Sequence, residues 1–135
     1  MRATIPLAAA VLLCGCASVL PEGGGPRADH VSFHVTVSNP TAAARTVQAE
    51  LSAPDGTLVQ RADAVHVDAG SSGSVQLVVP ETPQDGQYRI RITDKDSGEH
   101  GDARFDPSTC GSAAVDATFA LENGGAVRSD GARCG

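Results

Sequence analysis

The chain of 135 residues carries 16 acidic and 10 basic side chains, a formal charge of −6, with 41% hydrophobic and 3% aromatic residues. That balance argues against nucleic acid as a partner, because phosphate recognition needs a basic surface. With three Phe, one Tyr and no Trp, the chain also lacks the rings for stacked sugar or single-strand platforms.

Met1 and Arg2 precede a short apolar run, Ile5 to Leu13, after which the sequence turns polar and glycine-rich. A positive start, a short apolar core and small residues at the cut are the layout of a secretory signal. The run is too short to cross a bilayer, which takes about 20 apolar residues. A buried N-terminal helix is the alternative, but Gly15 and Pro21-Glu22-Gly23-Gly24-Gly25-Pro26 supply neither cap nor amphipathic spacing.

The segment Leu13-Cys14-Gly15-Cys16 resembles the lipobox of prokaryotic lipoproteins. The resemblance implies cleavage after residue 15, loss of Cys14 with the leader, and lipid on Cys16 as the new N-terminus. Cys14 stands where Ala, Ser or Thr is more usual. The implied location is the extracytoplasmic face of the cell membrane, with membrane lipid as the partner of Cys16. Residues 16–29, with three consecutive glycines between prolines, read as a linker that builds no core. Residues 30–135 then form one domain able to bury a modest core.

That domain reads as strands. Val31, Phe33, Val35 and Val37 alternate with Ser32, His34, Thr36 and Ser38, the period of a strand with one buried face. Asn39-Pro40 interrupts it. Val47, Ala49 and Leu51 alternate next, and Pro54-Asp55-Gly56 makes a turn. Leu58-Val59 and Val65-His66-Val67 follow, then Gly70-Ser71-Ser72-Gly73 as a turn, and Val75, Leu77 and Val79 as a strand stopped by Pro80. Tyr88, Ile90 and Ile92 alternate with Arg89, Arg91 and Thr93; shorter candidates are Ala103 to Phe105, Val115 to Leu121, and a weak strand around Val127. About seven or eight short strands with turns between them predict an all-β, immunoglobulin-like or fibronectin-like antiparallel sandwich.

The order of these features, from the strand ending at Asn39 to Gly86-Gln87-Tyr88-Arg89-Ile90, also resembles small immunoglobulin-like domains of prokaryotic surface proteins, including short lipoproteins of halophilic archaea. The resemblance implies an adhesion, spacer or accessory binding role.

Cys110 and Cys134 remain for the folded part. The export signal permits pairing, there is no C-x-x-C to suggest redox chemistry, and a bridge would staple the glycine-rich tail to the Val115 strand. Two free thiols are the alternative. Asp94-Lys95-Asp96-Ser97-Gly98-Glu99-His100-Gly101-Asp102 begins like a calcium loop, but Gly98 comes one position too early and Phe105 stands where the closing glutamate is required. The segment reads as a solvated hairpin loop, with weak calcium binding as the alternative. His30, His34, His66 and His100 are isolated in sequence; His34 and His66 both point outward from strands, so a shared sheet face could bring them to zinc or copper. Ser71, Ser72 and Ser74 lack a nucleophile elbow. No catalytic residue, metal ligand or cofactor is assigned.

The resulting expectation is a non-catalytic, lipid-anchored structural or protein-interaction module with an envelope protein as partner. The alternative is an extracytoplasmic carrier of a ligand or of Ca, Zn or Cu.

Overall fold

The computed structural model describes residues 30–80, 82–111 and 113–135. The expected leader, Cys16 and the linker to residue 29 lie outside the described residues. Nine strands occur among those residues: β1 (Val31–Asn39), β2 (Arg45–Ser52), β3 (Leu58–Arg61), β4 (Val65–Val67), β5 (Ser71–Val79), β6 (Tyr88–Asp94), β7 (His100–Phe105), β8 (Ala114–Leu121) and β9 (Val127–Cys134). They form two sheets. One is four-stranded, in the order β9-β8-β1-β5; the other is five-stranded, in the order β3-β2-β6-β7 with β4 also paired to β2. The fold is the all-β sandwich expected of an immunoglobulin-like or fibronectin-like domain.

Alternation fixes which side of each strand faces inward. Phe33, Val35 and Val37 on β1, Leu77 on β5, and Val115, Ala117 and Phe119 on β8 are buried from one sheet, against Val47, Ala49, Leu51, Tyr88, Ile90 and Ile92 from the other. Phe33 and Tyr88 meet across the sandwich with ring centroids 5.8 Å apart and planes tilted by 41°, an arrangement aromatic quadrupoles favour. The Tyr88 hydroxyl accepts a hydrogen bond from the Gln84 amide at 2.8 Å, so its polar tip is satisfied at the rim of the core.

The strands run between two ends. Near the first end lie Val31, paired with Val79, Ser32, paired with Ala114, and Cys134, paired with Val115. Cys110 and Cys134 are bonded there, with Cα atoms 5.4 Å apart, so the tail is fastened beside the start of β8. At the far end are the 40–44, 68–70, 95–99 and 122–126 connections.

Three details differ from the sequence reading. β1 and β8 pair in parallel, from Ser32 with Ala114 to Ser38 with Ala120, so the four-stranded sheet is mixed. Parallel neighbours come from distant parts of the chain, and no local pattern announces them. Ser71 and Ser72, read as turn residues, open β5 opposite Asn39 and Ser38; ladder pairing overrides the local turn preference. The weak strand around Val127 is the eight-residue β9, with a register shift between Ser129 and Ala132.

The sheet edges are managed. The Val78 amide on edge strand β5 donates to Gln60 Oε1 at 2.6 Å, joining the two sheets and occupying a donor that would otherwise stay open. On the opposite side β7 approaches β9 so closely that a Cβ on Gly101 would sit 2.6 Å from the Val127 carbonyl oxygen. Only glycine admits that approach.

Candidate functional site

The outer face of the five-stranded sheet gathers four arginines on an acidic chain. Outward positions alternate with the core positions on β2, β6 and β7, and register aligns them in rows. One row runs Ser52, Arg89, Arg104 across β2, β6 and β7, with Ser52 buried, and Leu58 of β3 pairs with Ser52 past a register shift between Leu51 and Ser52. The next runs Arg61, Glu50, Arg91, Asp102. A third continues with Gln48, Thr93 and His100 on β2, β6 and β7.

The second row neutralises itself. Arg61 Nε donates to Glu50 Oε2 at 2.6 Å, and Arg91 grips both Asp102 oxygens, Nε to Oδ1 at 2.8 Å and Nη2 to Oδ2 at 3.0 Å. This fork geometry is the stronger form of the guanidinium–carboxylate pair. The hydrogen bonds from Arg91 hold the Asp102 carboxyl below its ordinary value, against a partial burial that pushes it up, with the charges of Arg91, His100 and Arg89 adding to the lowering. The same bond raises Arg91 above the usual guanidinium value.

In the first row Arg89 and Arg104 stand directly opposite each other. Among the described residues neither makes an ion pair with a carboxylate. Arg89 Nη2 has a long hydrogen bond of 3.4 Å to Ser52 Oγ, while its buried Nε has no hydrogen-bond partner. Two strands away from Arg89, Leu58, 45% exposed, is the exposed large hydrophobic side chain of the described residues. Leu58 also borders an open groove of ≈ 250 Å³ reached by Thr57, Thr82, Gln84 and Tyr88, whose lining is uncharged.

The other residues singled out from sequence are placed elsewhere. His34 and His66 do not share a face: they lie on β1 and β4, in different sheets. His34 Nδ1 is 3.8 Å from Asp116 Oδ1, and His66 Nε2 is 3.4 Å from Asp68 Oδ1. Among the described residues no group of three or more His, Cys, Asp or Glu is arranged to hold a metal ion. His100 opens β7.

The acidic loop is a hairpin connection, as expected, but its first residue is not solvated. Asp94 is fully buried and ion-paired to Arg45. Its Oδ1 accepts from the amides of Asp96 at 2.8 Å and Ser97 at 3.3 Å, so the carboxylate is committed to shaping its own turn. Asp96 Oδ2 accepts from the Thr46 amide at 2.9 Å, and Ser97 Oγ donates to the Gly125 carbonyl at 2.7 Å. The loop's oxygen donors therefore tie hairpins together.

Cys16, the expected lipidation site, lies outside the described residues. The arginine row was partly visible in sequence, since the Tyr88 to Thr93 alternation sends Arg89 and Arg91 outward. Its neighbours Ser52, Leu58 and Arg104 come from other strands and required the register.

No family model matches the chain, and no curated protein matches it. An NMR structure of a protein from Eubacterium rectale is similar over 78% of this chain and 88% of its own, at 9% identity and a TM-score of 0.43.

Proposed function

We propose that this chain is a protein-interaction module of the cell surface, without catalytic machinery of its own, held at the extracytoplasmic face of the membrane by lipid on Cys16. The observation that carries the interaction role is the outer face of the five-stranded sheet: Arg61, Arg89, Arg91 and Arg104 gather in two adjacent rows that hold Glu50 and Asp102, on a chain whose formal charge is −6. Charge segregated in this way steers a partner of opposite sign and fixes its orientation more than it adds raw affinity. His30, the first described residue, adjoins Val31 at the disulfide-fastened end of the sandwich, and this supports a tether that enters the domain at that end.

Two measurements test the two halves of the proposal. Replacing Cys16 with Ser should move the protein from the membrane fraction to the soluble one and abolish incorporation of labelled fatty acid; retention with continued labelling refutes Cys16 as the anchor. Photocrosslinkers at Gln48 and Thr93, on the outer face of the second sheet, should capture a discrete envelope protein in intact cells, whereas a crosslinker at Thr118 on the other sheet should not. Equal or absent capture at all three positions overturns the interaction role of this face.

A further inference from the structure

We infer that Arg89 and Arg104, with Ser52 of the same row and Leu58 paired to it, form a docking subsite for an acidic segment of a partner protein. A carboxylate is received between the two guanidiniums, and an apolar side chain of the same segment lies on Leu58. The inference rests on the reading of this face as an interaction surface and names the chemistry of its partner.

Three observations lead to it. Arg89 and Arg104 are cross-strand partners, and like charges directly opposite each other on a sheet are destabilising. The carboxylates of the adjacent row are hydrogen-bonded to other arginines, Glu50 through Oε2 to Arg61 and Asp102 through both oxygens to Arg91, so that Asp102 acts on Arg89 only as a neighbouring charge. The Arg89 guanidinium is also underused: its Nε is buried, and the hydrogen bond it does make is the long one from Nη2 to Ser52 Oγ, at 3.4 Å. A carboxylate arriving from outside converts the repulsion into two charge-assisted hydrogen-bonding contacts, and the planar forks suit that group.

Leu58 sets the rest of the pattern. Neighbouring strands are about 4.8 Å apart, so roughly 12 Å separates Leu58 from the midpoint of the two arginines. An extended segment crossing the sheet covers that span in about four residues at roughly 3.3 Å each, which places its apolar and acidic side chains on the same side. An anionic membrane surface fits less well. It would bring an extended negative surface against a chain of charge −6, whereas a narrow peptide touches the arginine row alone.

The test uses the soluble Cys16→Ser full chain and a fluorescein-labelled peptide with a leucine four positions before a glutamate pair, followed by anisotropy. Saturable binding should weaken as salt rises. The Arg89→Gln/Arg104→Gln double variant should bind about tenfold more weakly or worse, and Leu58→Ala should lose a smaller factor. Arg128→Gln, on the other sheet, should bind as the parent does. Amide shifts on peptide addition should centre on Ser52, Arg89 and Arg104. No binding by the parent, equal binding by the double variant, or equal binding of a peptide with lysines for the glutamates overturns the subsite. So does binding to phosphatidylglycerol vesicles without binding to the peptide, which would assign the row to lipid. In cells, a double variant still crosslinked to its envelope partner through Thr93 overturns the subsite and leaves the interaction role standing, whereas failure of the parent to crosslink overturns that role itself.

Discussion

Arg45 reaches from the start of β2 to the carboxylate of Asp94 at the end of β6, forming an ion pair in which the Asp94 side chain is fully buried and that of Arg45 is 12% exposed. Around it the 95–99 connection is held by the Asp94 Oδ1 bonds, by the Lys95 amide donating to the Thr46 carbonyl at 2.8 Å, and by Ser97 bound to Gly125. One buried carboxylate thus organises the far end of the sandwich.

Removing the cation leaves that buried carboxylate without its counterion. Breaking one side of a buried pair costs about 3–5 kcal/mol. Arg45→Met should lower stability by about 3 kcal/mol, read as a reduced urea midpoint at unchanged slope. A loss within a few tenths of a kcal/mol of zero would mean that the pair contributes nothing net.

The approach of β7 to β9 gives a second expectation. A methyl group on Gly101 meets the Val127 carbonyl at 2.6 Å, and backbone has less room to yield than a side-chain tip. Gly101→Ala should cost about 1–3 kcal/mol and should raise amide exchange in Val127 to Ser129 before it does so in the core strands. Unchanged exchange along β9 would show that the strand moves aside freely.

What could be read from the sequence follows from which interactions are local. Alternation in Val31 to Ser38 and Tyr88 to Thr93 fixed both strands and their buried faces, because each residue's side is decided by its immediate neighbours. The disulfide was legible as well, since the expectation that Cys14 and Cys16 belong to a lipoprotein leader left Cys110 and Cys134 to pair with each other. The burial of Asp94 was not, because its partner Arg45 is far away in sequence and a DKDSGEHGD run reads as solvated in isolation. The Arg89–Arg104 juxtaposition and the separation of His34 from His66 depend on strand order, and β1 beside β8 in parallel has no sequence signal at all.

Acid should remove a contribution from the second row. The Arg91 hydrogen bonds hold the Asp102 carboxyl below its ordinary value, while in the unfolded chain it returns to about 3.9. A folded-state value below the unfolded one gives stability that is fully present above the unfolded value and is lost as pH falls through the depressed one. With both side chains roughly one-third exposed (30% and 27%), Arg91→Gln should cost about 1 kcal/mol at neutral pH. Urea midpoints of parent and variant should converge as the pH falls below the folded value of Asp102. Curves that stay parallel down to that range would assign the effect of Arg91 to packing of its stem.

The bridge between Cys110 and Cys134 matters most for β9, because the positions of that strand are exposed or half-buried throughout and hydrophobic burial alone holds it weakly. For a sequence separation of 24 residues, loop closure gives about 3.5 kcal/mol. The Cys110→Ser/Cys134→Ser variant should therefore melt roughly 14–28 °C lower, given about 4–8 °C per kcal/mol for a domain near this size. The loss should also be uneven. Amides of Arg128 to Arg133 should exchange rapidly in the variant while those of β2 and β6, packed on both sides within their sheet, keep most of their protection. Uniform loss of protection would mean that β9 unfolds only with the whole sandwich and that its pairing to β8 is stronger than its exposure implies.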